Sequence, residues 1–266
     1  MKKTLIALAV AASAVVSGSA MAAGWEQNGS GGSVDLGGTL TPVEKTTPWE
    51  VKVGDAVSGL DAQIQKGQKE VSIAVTKAIP VLGIRTANNK AFLGQFGIAP
   101  VIDFKNAIDL GGFDGGITTL TLDVNDGTSN NKIGTLTAPF NTGAVGSMTG
   151  ISVNEQYTFM AAEVTSELVR GFSGGLAADK SKVNKAPQNV LNALSTEIMA
   201  NFDTQGLSFT DGGFSTSFTG NAVKYSAAYG AGILANDTIK ITLDQVASGD
   251  EPIQWKASLP VTVSYQ

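Results

Sequence analysis

Trp255-Lys256-Ala257-Ser258-Leu259-Pro260-Val261-Thr262-Val263-Ser264-Tyr265-Gln266 closes the chain, and it alternates from end to end. Trp255, Ala257, Leu259, Val261, Val263 and Tyr265 are apolar; Lys256, Ser258, Pro260, Thr262 and Ser264 stand between them. A period of two puts every apolar side chain on one face of an extended strand, which needs a core beneath it and a pairing partner beside it. Pro260 donates no ladder hydrogen bond, so the strand belongs at an edge. Such an edge, apolar and almost uncharged, invites pairing with another chain.

Working outward, the remaining sequence reads mostly as short strands. Trp49–Val53 alternates and stops at Gly54. Val71, Ile73 and Val75 form another strand, followed by strand-like pieces at Val81–Ile84, Ile98–Phe104 and Ile117–Val124. Asp126-Gly127 signals a hairpin between Ile117–Val124 and Ile133–Phe140. Strands resume around Gly206–Phe209, Phe214–Phe218, Val223–Tyr229 and Thr238–Val246. Thirty-two glycines supply the turns, and the spacing indicates an all-β sandwich. Between these runs the period changes. Tyr157, Met160, Ala161, Val164 and Leu168 predict a helix over Glu155–Arg170, and Leu191, Leu194, Ile198 and Phe202 a second over Pro187–Phe202. The expectation is therefore a two-helix insertion at about residues 154–203 within a β domain spanning 42–266.

The N-terminus reads differently. Lys2 and Lys3, the apolar run Leu5–Val16 and Ala20-Met21-Ala22 form a secretory signal over residues 1–22. Its removal takes the net charge from −5 to −7, a balance that argues against nucleic acid or an anionic membrane surface as partner. A flexible glycine- and serine-rich tether, Gly24–Gly32, leads to a short alternating run. Val34, Leu36, Gly38 and Leu40 share one face of it, so residues 23–41 form a strand-bearing arm built either to tuck into its own sheet or to reach another molecule. The chain has no cysteine and no histidine, so packing and strand pairing must hold it together without disulfides.

Catalytic patterns fail on context. Gly171-Phe172-Ser173-Gly174-Gly175 fits the nucleophile-elbow spacing, but a helix precedes it, a polar loop follows and no histidine can activate the serine. Gly230-Ala231-Gly232-Ile233-Leu234-Ala235 fits a dinucleotide fingerprint but lacks room for the following helix, and reads as a turn. No metal site is assigned: histidine and cysteine ligands are absent, and Asp109–Gly116 and Asp211–Gly213 read as turns. No cofactor is expected.

The two ends together resemble the major fimbrial subunits of the enterobacterial chaperone–usher pathway, and more narrowly the kappa-class fibrillae of enterotoxigenic strains. The residues that carry the likeness are Met1–Ala9, Asn28-Gly29-Ser30, Gly32–Thr41, Trp49–Gly54, Gln254-Trp255 through Leu259, Val261 and Tyr265, with Phe172-Ser173-Gly174-Gly175-Leu176 in the middle. The resemblance implies an incomplete immunoglobulin-like sandwich, complemented by a donor strand from a neighbouring subunit. Val34, Leu36 and Leu40 would be the donor knobs, with Gly38 where a large side chain would not fit. The acceptor groove would be lined by Trp255, Ala257, Leu259, Val261, Val263 and Tyr265. The implied partners are further copies of the chain in a head-to-tail polymer, a periplasmic chaperone, an outer-membrane usher and host intestinal glycans. Asn154, Tyr157, Phe159, Phe172, Lys180 and Lys182 are the candidate glycan contacts, being aromatic or polar and close to the expected helices. A purely structural subunit is the alternative, and the helical insertion favours the adhesin. A secreted carbohydrate-active enzyme and an outer-membrane barrel fit less well.

Overall fold

The computed structural model describes residues 27–28, 36–41, 46–151, 153–163 and 168–266. The signal, most of the tether and Val34 lie outside the described residues. The chain divides into two compact units, Met1–Lys45 and Thr46–Gln266. In the first, residues 36–41 carry no strand, and the Leu36 and Leu40 side chains are 93% and 96% exposed.

The second unit is a sandwich-like all-β fold. Its strands are β1 (Trp49–Val53), β2 (Glu70–Ala74), β3 (Ile79–Thr86), β4 (Phe92–Leu93), β5 (Pro100–Asp103), β6 (Ile117–Asp126), β7 (Lys132–Gly150), β8 (Gln156–Met160), β9 (Phe209–Phe214), β10 (Val223–Ile233), β11 (Thr238–Leu243), β12 (Trp255–Ala257) and β13 (Thr262–Tyr265). Strand β7 is the spine. Its first half pairs with β6 on one side and β11 on the other; its second half pairs with β10 and β8. The halves differ in burial as their surroundings require. From Ile133 to Phe140 half-exposed and buried residues alternate, whereas Asn141–Ser147 is buried throughout. A strand covered on both faces loses the alternation that exposes strands to sequence reading.

The second cover is α1 (Pro187–Leu194), with a 3-10 turn after it at Thr196–Met199. Val190, Leu191, Leu194 and Ile198 pack on Val145 and Ala228, forming a small core apart from the main one. Gly230 and Gly232 make this seat possible. A Cβ at Gly230 would lie 2.8 Å from Leu191 Cδ2, and one at Gly232 2.7 Å from Leu194 Cδ2. The expected turn at Gly230–Ala235 is therefore corrected: Gly230–Ile233 belongs to β10, and its glycines receive the helix.

The two-helix insertion is also corrected. Gln156–Met160 is strand β8, held between β7 and β9, and the residues from Thr158 to Ala162 are buried on both faces. Its helical spacing of apolar residues reflects two-sided burial, which fixes no period. The second expected helix is real but shorter. Ser195 adopts an extended conformation after Leu194, and its Oγ accepts the Glu197 N–H at 3.3 Å, so the chain restarts as a 3-10 turn. Pro187 does stand in the first helical turn, where a missing N–H costs nothing.

An aromatic cluster anchors the main core. The Trp49 ring lies 5.0 Å from Phe92 and Phe218, and Phe172 stacks on Tyr229 at 5.3 Å. Phe172 (φ 64°) and Phe218 (φ 56°) both hold left-handed backbone, which costs a bulky residue roughly 1–2 kcal/mol. Both rings are fully buried, and that burial offsets the strain. Tyr229 Oη donates to Gly175 O at 3.1 Å, and complete burial pushes its pKa far above the ordinary tyrosine range. Below about pH 10 neither the folded nor the unfolded chain releases this proton; above it only the unfolded chain does, so stability falls as pH rises. Tyr229→Phe should cost about 1 kcal/mol at neutral pH. The same variant should lose stability less steeply than the parent above pH 10, as read by denaturant titrations across pH.

Candidate functional site: an open groove at the C-terminal strands

The terminal stretch is two strands, not one. β12 pairs with β6, β13 pairs with β5, and Ser258–Val261 between them pairs with nothing among the described residues. Pro260 sits in that break, as a residue without an N–H should.

The ladder fixes which backbone groups are left over. Gly127 N–H donates to Gln254 O at 2.8 Å, so Gln254 and Lys256 turn their polar groups toward β6. Ala99 and Gln266 exchange N–H···O bonds of 3.0 and 3.1 Å, so Gln266, Ser264 and Thr262 turn toward β5. By alternation Trp255, Ala257, Val263 and Tyr265 present their N–H and C=O groups to the other side, where no strand lies among the described residues. Side chains of the same residues point inward and are half-buried against the main core. One row of residues thus combines an unpaired ladder with an apolar face.

Beside that row lies a groove of about 1200 Å³. Trp255, Ala257 and Leu259 form one wall; Gly54–Lys66, with Pro80 and Val81, forms the other. Leu120, Leu122 and Val124 of β6 and Ile239, Ile241 and Leu243 of β11 contribute much of the floor, with Val71, Ile73 and Leu136. Val261, Val263 and Tyr265 do not line it. They continue the open edge beyond its end, with β5 behind them. The floor residues were present in the alternation of β6 and β11, but nothing in one sequence says that those inward faces meet an unfilled space.

The candidate glycan contacts do not converge. Phe159 (3% exposed) and Phe172 (0%) are core residues with no face for a ligand. Lys180 reaches Glu163 at 3.4 Å, and Lys182 O accepts the Gly116 N–H, which ties that loop to the middle of β7 near Thr142. Tyr157 pairs with Ser147, five residues further along the strand or about 17 Å, and exposed Asn154 lies in the loop leading into β8. Tyr157 instead keeps company that sequence reading did not supply. Its ring lies 5.2 Å from both Phe202 and Phe209, and Gln188 Nε2 donates to its hydroxyl at 3.3 Å. Phe209 is 37% exposed. The result is an aromatic platform with an amide beside it, assembled from β8, β9 and α1.

A second concavity of about 1070 Å³ lies between β1, β3 and the 3-10 turn. Lys52–Glu197 (2.7 Å) and Arg85–Glu50 (2.8 Å) pair along it, and Arg85 Nη1 also donates to Glu197 O. The hydrogen bond from Lys52 to the Glu197 carboxylate raises the pKa of Lys52 and lowers that of Glu197. These exposed charges neutralise one another and fasten the turn to the sheet. Elsewhere Asp109 accepts the Gly111 N–H within its own turn, and Asp211–Gly213 lies in β9. Ser173, of the elbow-like sequence, donates to Arg170 O in a loop that no helix enters among residues 168–170.

Comparison with known proteins agrees over the whole length. The family described as "Fimbrial, major and minor subunit" matches residues 1–266. Similar relatives from Escherichia coli include the "F41 fimbrial protein", 28% identical, and the "K88 fimbrial protein AB" and "K88 fimbrial protein AC", each 29% identical; both partners are covered in full in every case.

An open apolar groove should bind an environment-sensitive hydrophobic dye in the folded state. Leu122→Lys on the half-exposed floor should cut the dye's fluorescence to less than about half. Its effect on stability should stay within ~1 kcal/mol, so that loss of signal reports the groove and not the fold.

Proposed function

Since the chain belongs to the family of fimbrial major and minor subunits, which build cell-surface fibres, we propose that it polymerises by inserting the arm of one copy into the groove of the next. One observation carries this reading: the edge of Trp255, Ala257, Val263 and Tyr265, unpaired among the described residues, lies beside a groove with an apolar floor. An entering strand would take up the ladder through its backbone and fill the groove with alternate side chains, the strand-addition mode of recognition. The arm has the matching composition, with Val34, Leu36 and Leu40 on one face and Gly38 between them. Burying three such side chains contributes on the order of 5–9 kcal/mol. Direction and register come from the ladder. An immunoglobulin-like sandwich lacking its last strand is the architecture this function requires.

The same edge would be dangerous in transit. We assign its protection to a periplasmic chaperone that lends a strand after export, and its release to an outer-membrane usher that passes the subunit to the growing fimbrium. The reading also includes adhesion to glycans of intestinal glycoproteins or glycolipids, and the Tyr157–Phe209 platform supports it best. Sugar rings present apolar C–H faces that stack on aromatic rings, while their hydroxyls need amide and hydroxyl partners such as Gln188. Asn154 lies in the loop leading into β8; Lys180 and Lys182 belong to another region.

Two variants test polymerisation. Deleting residues 23–41 should leave an aggregation-prone subunit, and moving that segment behind Gln266 through a short linker should give a monomer whose Tm is higher by on the order of 10 °C. Equal stability and a monomeric mass for both would overturn the donor-arm reading. For adhesion, Tyr157→Ala should lower binding of assembled fibres to intestinal glycoproteins about tenfold or more without changing fibre yield.

A further inference from the structure

The wall opposite β12 is unlike any other part of the second unit. Residues 55–64 form no strand and make no backbone hydrogen bond among the described residues, although the sheets lie on either side. The segment is fastened only at its ends. Gly54 N–H donates to Val81 O at 2.9 Å, Gly67 N–H donates to Ala247 O at 2.7 Å, and Lys66 pairs with Asp250. Gly54 has no room for a side chain, since a Cβ there would lie 1.8 Å from Pro80 O. Gly59 and Gly67 take positive φ in open space.

Between those fastenings Leu60 and Ile64 are half-buried against the main core, while the other residues from Asp55 to Lys66 are exposed. Both also line the groove. Their spacing repeats that of the arm. Leu60-Asp61-Ala62-Gln63-Ile64 and Leu36-Gly37-Gly38-Thr39-Leu40 each place a large apolar residue, a small one and a large one at alternate positions. A strap with the arm's side-chain pattern but none of its ladder lies at the mouth of the groove.

We propose that this strap, Asp55–Gln65, is an internal stand-in for the arm. In the free subunit Leu60 and Ile64 cover the open groove, and arm entry displaces them. The inference rests on the donor-arm reading of the groove. A placeholder must leave easily, and this one can: with no backbone hydrogen bond from Asp55 to Ile64 among the described residues, its opening belongs to the low-stability end of local motions. It must also be weaker than the arm. Two half-buried side chains without a ladder meet that requirement against an arm that offers several knobs and a full set of backbone bonds.

The absence of cysteine makes the test direct. The mature full-length protein carrying Leu60→Cys is mixed with a fluorescent synthetic peptide of residues 29–41. Peptide binding is followed by anisotropy, and maleimide labelling of the thiol is timed with and without saturating peptide. The expected result is binding together with a labelling rate that rises about threefold or more as the strap swings out. A second variant, Leu60→Ser with Ile64→Ser, should associate with the peptide several-fold faster than the parent. If the peptide binds and labelling slows or stays the same, the strap is a fixed wall that the arm packs against, and the proposal is overturned. If the peptide does not bind the parent protein at all, the donor-arm reading falls first and the strap's role with it.

Discussion

Four residues whose backbone groups meet no strand among the described residues define this structure. Trp255, Ala257, Val263 and Tyr265 leave N–H and C=O groups on the open side of the terminal strands while their side chains enter the core. Leaving such groups unmatched is tolerable in water and expensive once covered, roughly 1–3 kcal/mol each. Anything that covers this edge must therefore bring its own backbone donors and acceptors. A helix or a side chain cannot do this along a strand edge. Another strand can, and the constraint selects extended polypeptide over every other occupant.

Sequence reading reached the constraint but not its shape. Alternation in Trp255–Tyr265 announced an apolar, edge-placed strand, and Pro260 warned of irregularity. That the strand divides at Pro260 and serves two partners, β6 and β5, depends on where distant residues fold. Strands exposed on one face, such as β2, β6 and β11, were legible because burial followed their pleat. Those covered on both faces were not. β8 looked helical and the end of β10 looked like a turn, since two-sided burial erases the period and places glycines wherever a helix must approach. The aromatic platform was half legible. Tyr157 could be singled out, but Phe202 and Phe209 join it only through the β8–β9 pairing and the packing of α1.

The same two-sided burial explains how a domain with an open groove carries a separate aromatic surface as well. β7 belongs to both regions. Its first half lies beside β6 and β11, which floor the groove; its second half lies beside β8 and β10, which carry the platform and the seat of α1. The groove draws on the main core and the platform on the smaller one. Changes around Tyr157, Phe202 and Phe209 therefore fall on a cluster that contributes no residue to the groove.

This separation also bears on what the fold can tolerate. Under the proposed strand addition, the groove floor must keep its apolar character and the open edge its strand geometry. The platform faces no such demand: its rings pack on α1 and β9, and their outer faces can change with only local effects on packing. Residues such as Gly230 and Gly232 are constrained for a different reason, the close approach of Leu191 and Leu194. A β domain that seats a helix on glycines gains a second, adjustable face without disturbing the first. That is the physical basis on which, under the proposed reading, one chain would serve as building block and binding surface together.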